Sequence, residues 1–131
     1  MSIAIWCVLV AAVLPYVWTT IAKGSGERRY DNRDPRGWLA RQQNPISIRA
    51  NAAHLNAFEA FAPFAAGISM AAITGVDRTL VTLLALAFVA FRVLHGIFYL
   101  TGWHYLRSAA WLGGFACVVV LMVNAARAAA A

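Results

Sequence analysis

The sequence has 131 residues, of which 62% are hydrophobic and only 12% are charged, and its mean hydropathy is +0.66. This composition is too apolar for a soluble domain of this length and indicates an integral membrane protein. The formal net charge of +6 does not predict a nucleic-acid partner, because six of the eleven basic residues lie in one loop.

Four segments are apolar enough to cross a bilayer, for which a helix needs about 20 residues. They cover residues 2–22, 47–74, 79–101 and 104–127. These segments leave almost nothing for a second domain. We therefore predict an all-α fold, a four-helix transmembrane bundle that forms a single domain over residues 1–131.

The first span has no charge before Lys23 and is longer than the apolar region of a signal peptide, so we interpret it as mature structure. Pro15 in this span and Pro63 in the second lack a backbone N–H, which predicts local kinks. Cys7 and Cys117 lie inside apolar spans without metal-ligand spacing. We interpret them as small buried hydrophobic residues and predict no metal site.

The loop of residues 23–46 is the one long polar stretch, and it holds the six clustered basic residues. By the positive-inside rule it is cytoplasmic, as is the turn at 101–104, while both termini and the "TGVDR" turn face the other side. We expect the membrane to be a bacterial inner membrane. The loop ends in "NPIS", where Asn44 or Ser47 is expected to begin the next helix.

The third and fourth spans are joined only by "TGWH". This short link predicts a tight antiparallel helical hairpin. It also places Trp103, His104 and Tyr105 at the membrane interface, where amphipathic aromatic side chains are enriched.

Ionisable and amide side chains interrupt the apolar second and third spans. In the second, helical spacing places Arg49, Asn56 and Glu59 on one face, whereas His54 points the other way. In the third, the spacing i, i+3, i+7 brings together Arg92, His95 and Tyr99. The two polar faces are expected to meet inside the bundle.

The depth of these residues predicts their partners. Counting inward from the cytoplasmic ends at about 1.5 Å per residue, Glu59 and Arg92 reach the same level. An unpaired charge there costs at least ~2.5 kcal/mol, so we predict an ion pair between them. The pair alone would serve only to hold helices together. The fuller polar set favours a binding cavity, because intramembrane ionisable residues are commonly functional.

Arg107 and Ser108 lie at the start of the fourth span. A guanidinium, a hydroxyl and free backbone N–H groups at a helix N-terminus stabilise an anion such as a thiolate or carboxylate. The alternative without a chemical role is that Arg107 is an interfacial anchor that contributes only positive charge.

Two motifs give the chain a family resemblance. "AHLNAFEAFAPF" resembles the second-helix pattern A-H-x-N-x-x-E…P-F of the MAPEG membrane proteins, the group that includes microsomal glutathione transferases, microsomal prostaglandin E synthase and the lipoxygenase-activating protein. "RVLHGIFYL" followed by "RS" resembles the third-helix and fourth-helix patterns of the same family.

The resemblance implies a homotrimer that holds glutathione as co-substrate between neighbouring subunits, open to the cytoplasm. The implied reaction is transfer to a lipophilic electrophile, or reduction of a lipid peroxide, that arrives sideways from the bilayer. The implied catalytic residues are Arg107, Ser108 and Tyr99. The glutathione-binding set predicted from the resemblance and the polar faces is Arg49, Asn56, Glu59, Arg92, His95, Tyr99 and Arg107.

Three alternatives remain. A non-catalytic lipid-binding scaffold of the same fold is favoured by Ala52 and Leu55, which stand where prostaglandin-synthase-like members have basic residues that grip glutathione. A small multidrug exporter would need an acid in the first span, which has none. A b-type haem between His54 and His95 would require ligands that lie on opposite helix faces.

Overall fold

The computed structural model describes residues 1–130, which form four long helices and one short helix without a β-strand in that range. The helices are α1 (Ser2–Gly24), α2 (Pro35–Ala40), α3 (Pro45–Ile73), α4 (Arg78–Thr101) and α5 (His104–Ala129). The four long helices are long and apolar enough to cross a membrane. The predicted all-α bundle is confirmed, and each span agrees with the sequence analysis to within two residues.

The ends of the long helices follow local sequence signals. Asn44 begins α3, because its side-chain oxygen accepts a hydrogen bond from the Ile46 N–H at 2.9 Å. Ser47, the other candidate, is buried, and its hydroxyl donates to the Ala22 carbonyl at 2.7 Å. This bond ties the start of α3 to the end of α1.

The α4–α5 connection contains only Gly102 and Trp103, which confirms the predicted hairpin. Gly102 has a φ of 79°, a left-handed conformation that glycine adopts without strain and that commonly ends a helix. Together with the loop of residues 25–44, this turn defines what we call the loop end of the bundle.

Small side chains and a few aromatic rings fill the interior. The rings of Phe64 and Phe88 stack at 3.9 Å between α3 and α4, and Leu121 of α5 is fully buried beside them. Buried alanines such as Ala4 and Ala85 allow the helices to approach closely, as is usual in membrane bundles. Cys7 and Cys117 are free and belong to this core, which confirms their interpretation as small buried residues.

Nearer the loop end, a second apolar cluster joins α1 to α3 and α4. Leu14 and Trp18 of α1 pack there against Ala53 and Ala57 of α3. Gly96 of α4 lies so close that an added Cβ atom would be 2.1 Å from the Trp18 ring. Only a residue without a side chain lets α4 approach α1 at this point.

Large apolar side chains also cover much of the outer surface. Ile5 and Trp6 of α1 are 61% and 65% exposed, and Leu112 of α5 is 60% exposed. Exposure of this extent is unfavourable in water and is expected where a helix faces lipid.

The short helix α2 was not predicted. Asp34 accepts a hydrogen bond from the Gly37 N–H at 3.0 Å, and Pro35 occupies the first helical position. This Asp-Pro pair is a helix-start signal that the polar composition of the loop obscured.

Candidate functional site

Polar side chains from α3, α4 and α5 meet in one cleft at the loop end. The cleft has a volume of about 210 Å³ and is lined by Asn56, His95, Tyr99, Arg107, Ser108 and Trp111. We call it the polar cleft. Five of the eight residues predicted from the sequence therefore lie around a single space.

The last turns of α4 supply one wall of this cleft. His95 is only 3% exposed, and its ring meets that of Tyr99 edge to face at 5.2 Å. The neighbouring Gly96 holds α4 against Trp18 of α1. The close approach of the two helices thus fixes the backbone that carries His95.

The first turn of α5 supplies the cation. The guanidinium carbon of Arg107 lies 4.5 Å from the centre of the Tyr99 ring, within the range of a cation–π contact. The Arg107 N–H donates to the Trp103 carbonyl at 2.9 Å, so Arg107 lies at the positive end of the helix dipole. The cation and the hydroxyl of Ser108 together form a surface suited to an anion, and the Tyr99 ring packs against the cation.

A second cavity lies deeper in the bundle. It has a volume of about 220 Å³ and shares Asn56 and Trp111 with the polar cleft. Its other walls are mostly apolar and include Phe88, Phe115 and Val118. We call it the apolar cavity. The polar cleft near the loop end therefore adjoins the apolar cavity, which lies farther along the membrane-spanning helices.

Arg92 occupies the boundary of the apolar cavity and is only 4% exposed. Its Nη2 donates to the Asn56 side-chain oxygen at 2.8 Å. Its Nε is buried and has no hydrogen-bond partner within residues 1–130. This guanidinium therefore has the capacity for one more hydrogen bond to a polar or anionic atom.

The predicted ion pair between Glu59 and Arg92 is wrong. Within the described residues, the ion pairs shorter than 4.0 Å lie in the loop and not here. Asn56 instead accepts from Arg92 and, from its amide nitrogen, donates to a Glu59 carboxylate oxygen at 3.4 Å. The amide can separate the two charges because it both donates and accepts, and Glu59 remains exposed at the rim.

Comparison with known protein families identifies the chain. The sequence profile of the MAPEG family matches residues 3–127, which include nearly all of the four long helices. The chain belongs to the MAPEG family. No curated protein and no solved structure gives a significant match. Membership and the four apolar helices together identify an integral membrane protein.

Arg49 is the one predicted residue of this MAPEG protein that lies apart from both cavities. Its Nη1 donates to the Leu100 carbonyl at 3.4 Å, near the C-terminus of α4. A cation there complements the helix dipole. In the described chain, its guanidinium therefore contacts the end of a helix and does not line the polar cleft.

His54 lies on the side of α3 away from Asn56, as the helical spacing predicted, and the structure shows that this side faces α1. Its Nδ1 lies 2.8 Å from the Pro15 carbonyl oxygen, and its ring packs against Phe58. His95 lines the polar cleft instead. The two histidines considered as haem ligands are therefore held in different surroundings.

Trp111 was missed by the sequence analysis although it lines both cavities of this MAPEG protein. Its ring stacks on Phe115 at 5.3 Å. Its position gave a usable signal, because it follows Arg107 by four residues and so shares its helix face. The apolar composition of α5 indicates a membrane span and hides this position among the other apolar residues.

Proposed function

We propose that this MAPEG protein is a glutathione-dependent transferase or peroxidase that acts on lipophilic electrophiles or lipid peroxides drawn from the bilayer. The family includes glutathione transferases and related enzymes. The observation that carries the proposal is the polar cleft, in which Arg107 lies over Tyr99 with Ser108 beside it.

The chemical groups of the polar cleft and of the adjoining part of the apolar cavity suit glutathione. This tripeptide carries two carboxylates, one ammonium group and a thiol. Arg107 in the polar cleft and Arg92 at the boundary of the apolar cavity offer cationic N–H groups to carboxylates or a thiolate, and the exposed Glu59 of the apolar cavity offers an acceptor to the ammonium. The donor set therefore matches the charges of the co-substrate.

Arg107 and Ser108 are the proposed catalytic pair. When bound, glutathione would supply a thiolate: attack on an electrophilic carbon displaces that carbon's leaving group, and reduction of a hydroperoxide to an alcohol and water consumes two glutathione molecules, which become the disulfide. The Arg107 cation at the helix N-terminus favours the thiolate over the thiol, and Ser108 donates a hydrogen bond to the same anion. Tyr99 holds the guanidinium in place through its ring face.

The apolar cavity is the proposed entry point for the second substrate. Phe88, Phe115 and Val118 give it apolar walls, and it adjoins the polar cleft at Asn56 and Trp111. A lipophilic molecule held there would present its reactive atom toward the thiolate. This arrangement supports a substrate that enters from the bilayer rather than from water.

The proposed working form is a homotrimer with the loop of residues 23–46 in the cytoplasm, in a bacterial inner membrane. Each cavity, at about 210 or 220 Å³, is smaller than the ~300 to 1,000 Å³ usual for a ligand site. Ser108 and Trp111 are exposed at the edge of the cleft. A neighbouring subunit would therefore complete the wall around glutathione.

A non-catalytic lipid-binding scaffold is the second candidate. It is favoured by Ala52 and Leu55, which bring no charge to α3, and by Arg49, whose guanidinium turns to Leu100. A cleft with fewer cations grips the glutathione carboxylates less tightly. The two candidates differ in whether glutathione binds and reacts.

Rates of thioether formation with an aryl halide and of organic hydroperoxide reduction test the proposal. Purified wild type is compared with Arg107→Ala, Arg107→Lys and the control Arg127→Ala, which removes an exposed arginine from the far end of the same helix. If Arg107 is catalytic, both rates fall in Arg107→Ala, recover partly in Arg107→Lys and stay unchanged in the control. Equal rates in wild type and Arg107→Ala exclude the catalytic role.

A further inference from the structure

The loop between α1 and α3 has a small core of its own. Trp38 is 5% exposed, and its indole N–H donates to the Arg29 carbonyl at 3.0 Å. The buried Gln42 side chain donates to the Trp38 carbonyl at 2.9 Å and accepts from the Glu27 N–H at 3.0 Å. These bonds hold the loop in a defined shape against the end of the bundle.

The acidic residues of the loop neutralise only some of its arginines. The loop of residues 25–44 contains five arginines and three acidic residues. Asp31 pairs with Arg33 at 3.1 Å, and Asp34 pairs with Arg41 at 3.2 Å. The side-chain and backbone hydrogen bonds from Arg33 hold the pKa of Asp31 below its usual range, so that pair stays charged.

Three arginines keep their charge available. Arg28, Arg29 and Arg36 are exposed, and within residues 1–130 none of their side chains forms a hydrogen bond or ion pair. Arg28 and Arg29 also line a polar depression of about 480 Å³, together with Arg41, Glu27 and Asp31. The depression is large enough for a small polar group.

This surface lies immediately beyond the membrane span. α1 ends at Gly24, only four residues before Arg28, and α3 begins at Pro45. Residues so close to the helix ends lie at the level of phospholipid headgroups. Arginine guanidinium groups bind phosphate oxygens through paired hydrogen bonds.

We infer that the loop surface formed by Arg28 and Arg29 binds the phosphate groups of anionic phospholipids in the leaflet at the loop end. The free charges match anionic headgroups, and the hydrogen bond from the buried Trp38 indole to the Arg29 carbonyl holds the backbone that carries Arg29. The function is separate from the polar cleft, since no residue is common to the two sites.

Lipid binding by the purified full-length protein tests this inference. Native mass spectrometry counts bound short-chain phosphatidylglycerol, with phosphatidylcholine of the same chain length as the uncharged comparison. The variant Arg28→Gln/Arg29→Gln is compared with Arg78→Gln/Arg127→Gln, which removes two exposed arginines from the opposite end. Melting temperatures of both variants verify that each is folded.

We expect wild type to bind phosphatidylglycerol more tightly than phosphatidylcholine. The loop variant should lose roughly 25-fold in phosphatidylglycerol affinity, at about fivefold per arginine, whereas the control variant should retain it. Equal losses in the two variants, or equal binding of the two lipids, would overturn the inference. Displacement by free glycerol phosphate at the same concentration would also overturn it, in favour of a site for soluble phosphate esters.

Discussion

The guanidinium of Arg107 rests on the ring of Tyr99, with 4.5 Å between the guanidinium carbon and the ring centre. The contact joins the end of α4 to the start of α5 across the tight turn at Gly102 and Trp103. The cation is therefore positioned by an aromatic face rather than by a carboxylate. Within residues 1–130 the Arg107 guanidinium forms no hydrogen bond or ion pair, so its N–H groups are available for an anion in the polar cleft.

Substitution of Tyr99 tests this contact. Tyr99→Phe keeps the ring face and should preserve most of the positioning of Arg107, whereas Tyr99→Leu removes it. Because a cation–π contact contributes about 0.5 to 2 kcal/mol, we expect Tyr99→Leu to lower kcat/KM for glutathione by roughly 2-fold to 30-fold relative to Tyr99→Phe. Equal kcat/KM values in the two variants would contradict a positioning role for the ring.

The bridge through Asn56 makes a prediction about stability. Asn56→Leu removes the acceptor of the buried Arg92 and should lower the unfolding free energy by about 1.5 to 3 kcal/mol. Glu59→Gln should have a much smaller effect, because its contact with Asn56 is long at 3.4 Å and exposed. Melting temperatures in one detergent provide the measurement. A larger loss of unfolding free energy in Glu59→Gln than in Asn56→Leu would contradict the bridge through Asn56 and favour a direct ion pair between Glu59 and Arg92.

From its position, Arg49 is expected to contribute to the stability of the fold but not to glutathione binding. Because its guanidinium reaches the Leu100 carbonyl and not the polar cleft, Arg49→Gln should leave the glutathione dissociation constant within about twofold of wild type. The loss of a cation at a helix C-terminus should lower stability by about 0.3 to 1 kcal/mol. Glutathione titration of Arg49→Gln checks the first statement. A tenfold weaker affinity would place Arg49 at the co-substrate.

Two glycines of neighbouring helices provide a matched pair for the packing that supports the cleft. In Gly96→Ala the new Cβ would be 2.1 Å from the Trp18 ring, so we expect a loss of about 1 to 3 kcal/mol from overpacking. In Gly114→Ala the nearest atom is the Arg92 Cδ at 3.6 Å, an ordinary contact. Thermal unfolding of both variants should show a clear loss only for Gly96→Ala. Similar melting temperatures would mean that α1 and α4 can move apart freely.

The sequence predicted the helices because their signals are local. Hydropathy defined the four spans, and Asn44 carries the side chain that begins α3. Helical spacing also placed His54 on the face opposite Asn56, which the contact with Pro15 confirms. Each of these features depends on residues within a few turns of one another.

The partners across helices were harder to predict. Counting residues from the helix ends paired Arg92 with Glu59. The guanidinium of Arg92 instead reaches Asn56, which lies one turn before Glu59 on the same face of α3. A long side chain spans such a difference in register, and helical spacing cannot choose between two acceptors that near. Arg49 shows the same limitation, since the sequence placed it on the polar face and its guanidinium extends to a backbone carbonyl instead.

Glutathione binding in the polar cleft is the central claim, and thermal melting of the purified protein with glutathione tests it most directly. Ligand at about 100 times its dissociation constant should stabilise the folded protein by ~2.7 kcal/mol. We predict that millimolar glutathione raises the melting temperature of wild type, and that the rise is much smaller in Arg107→Ala. A wild-type protein that does not respond to glutathione would contradict the account and favour the non-catalytic lipid-binding scaffold.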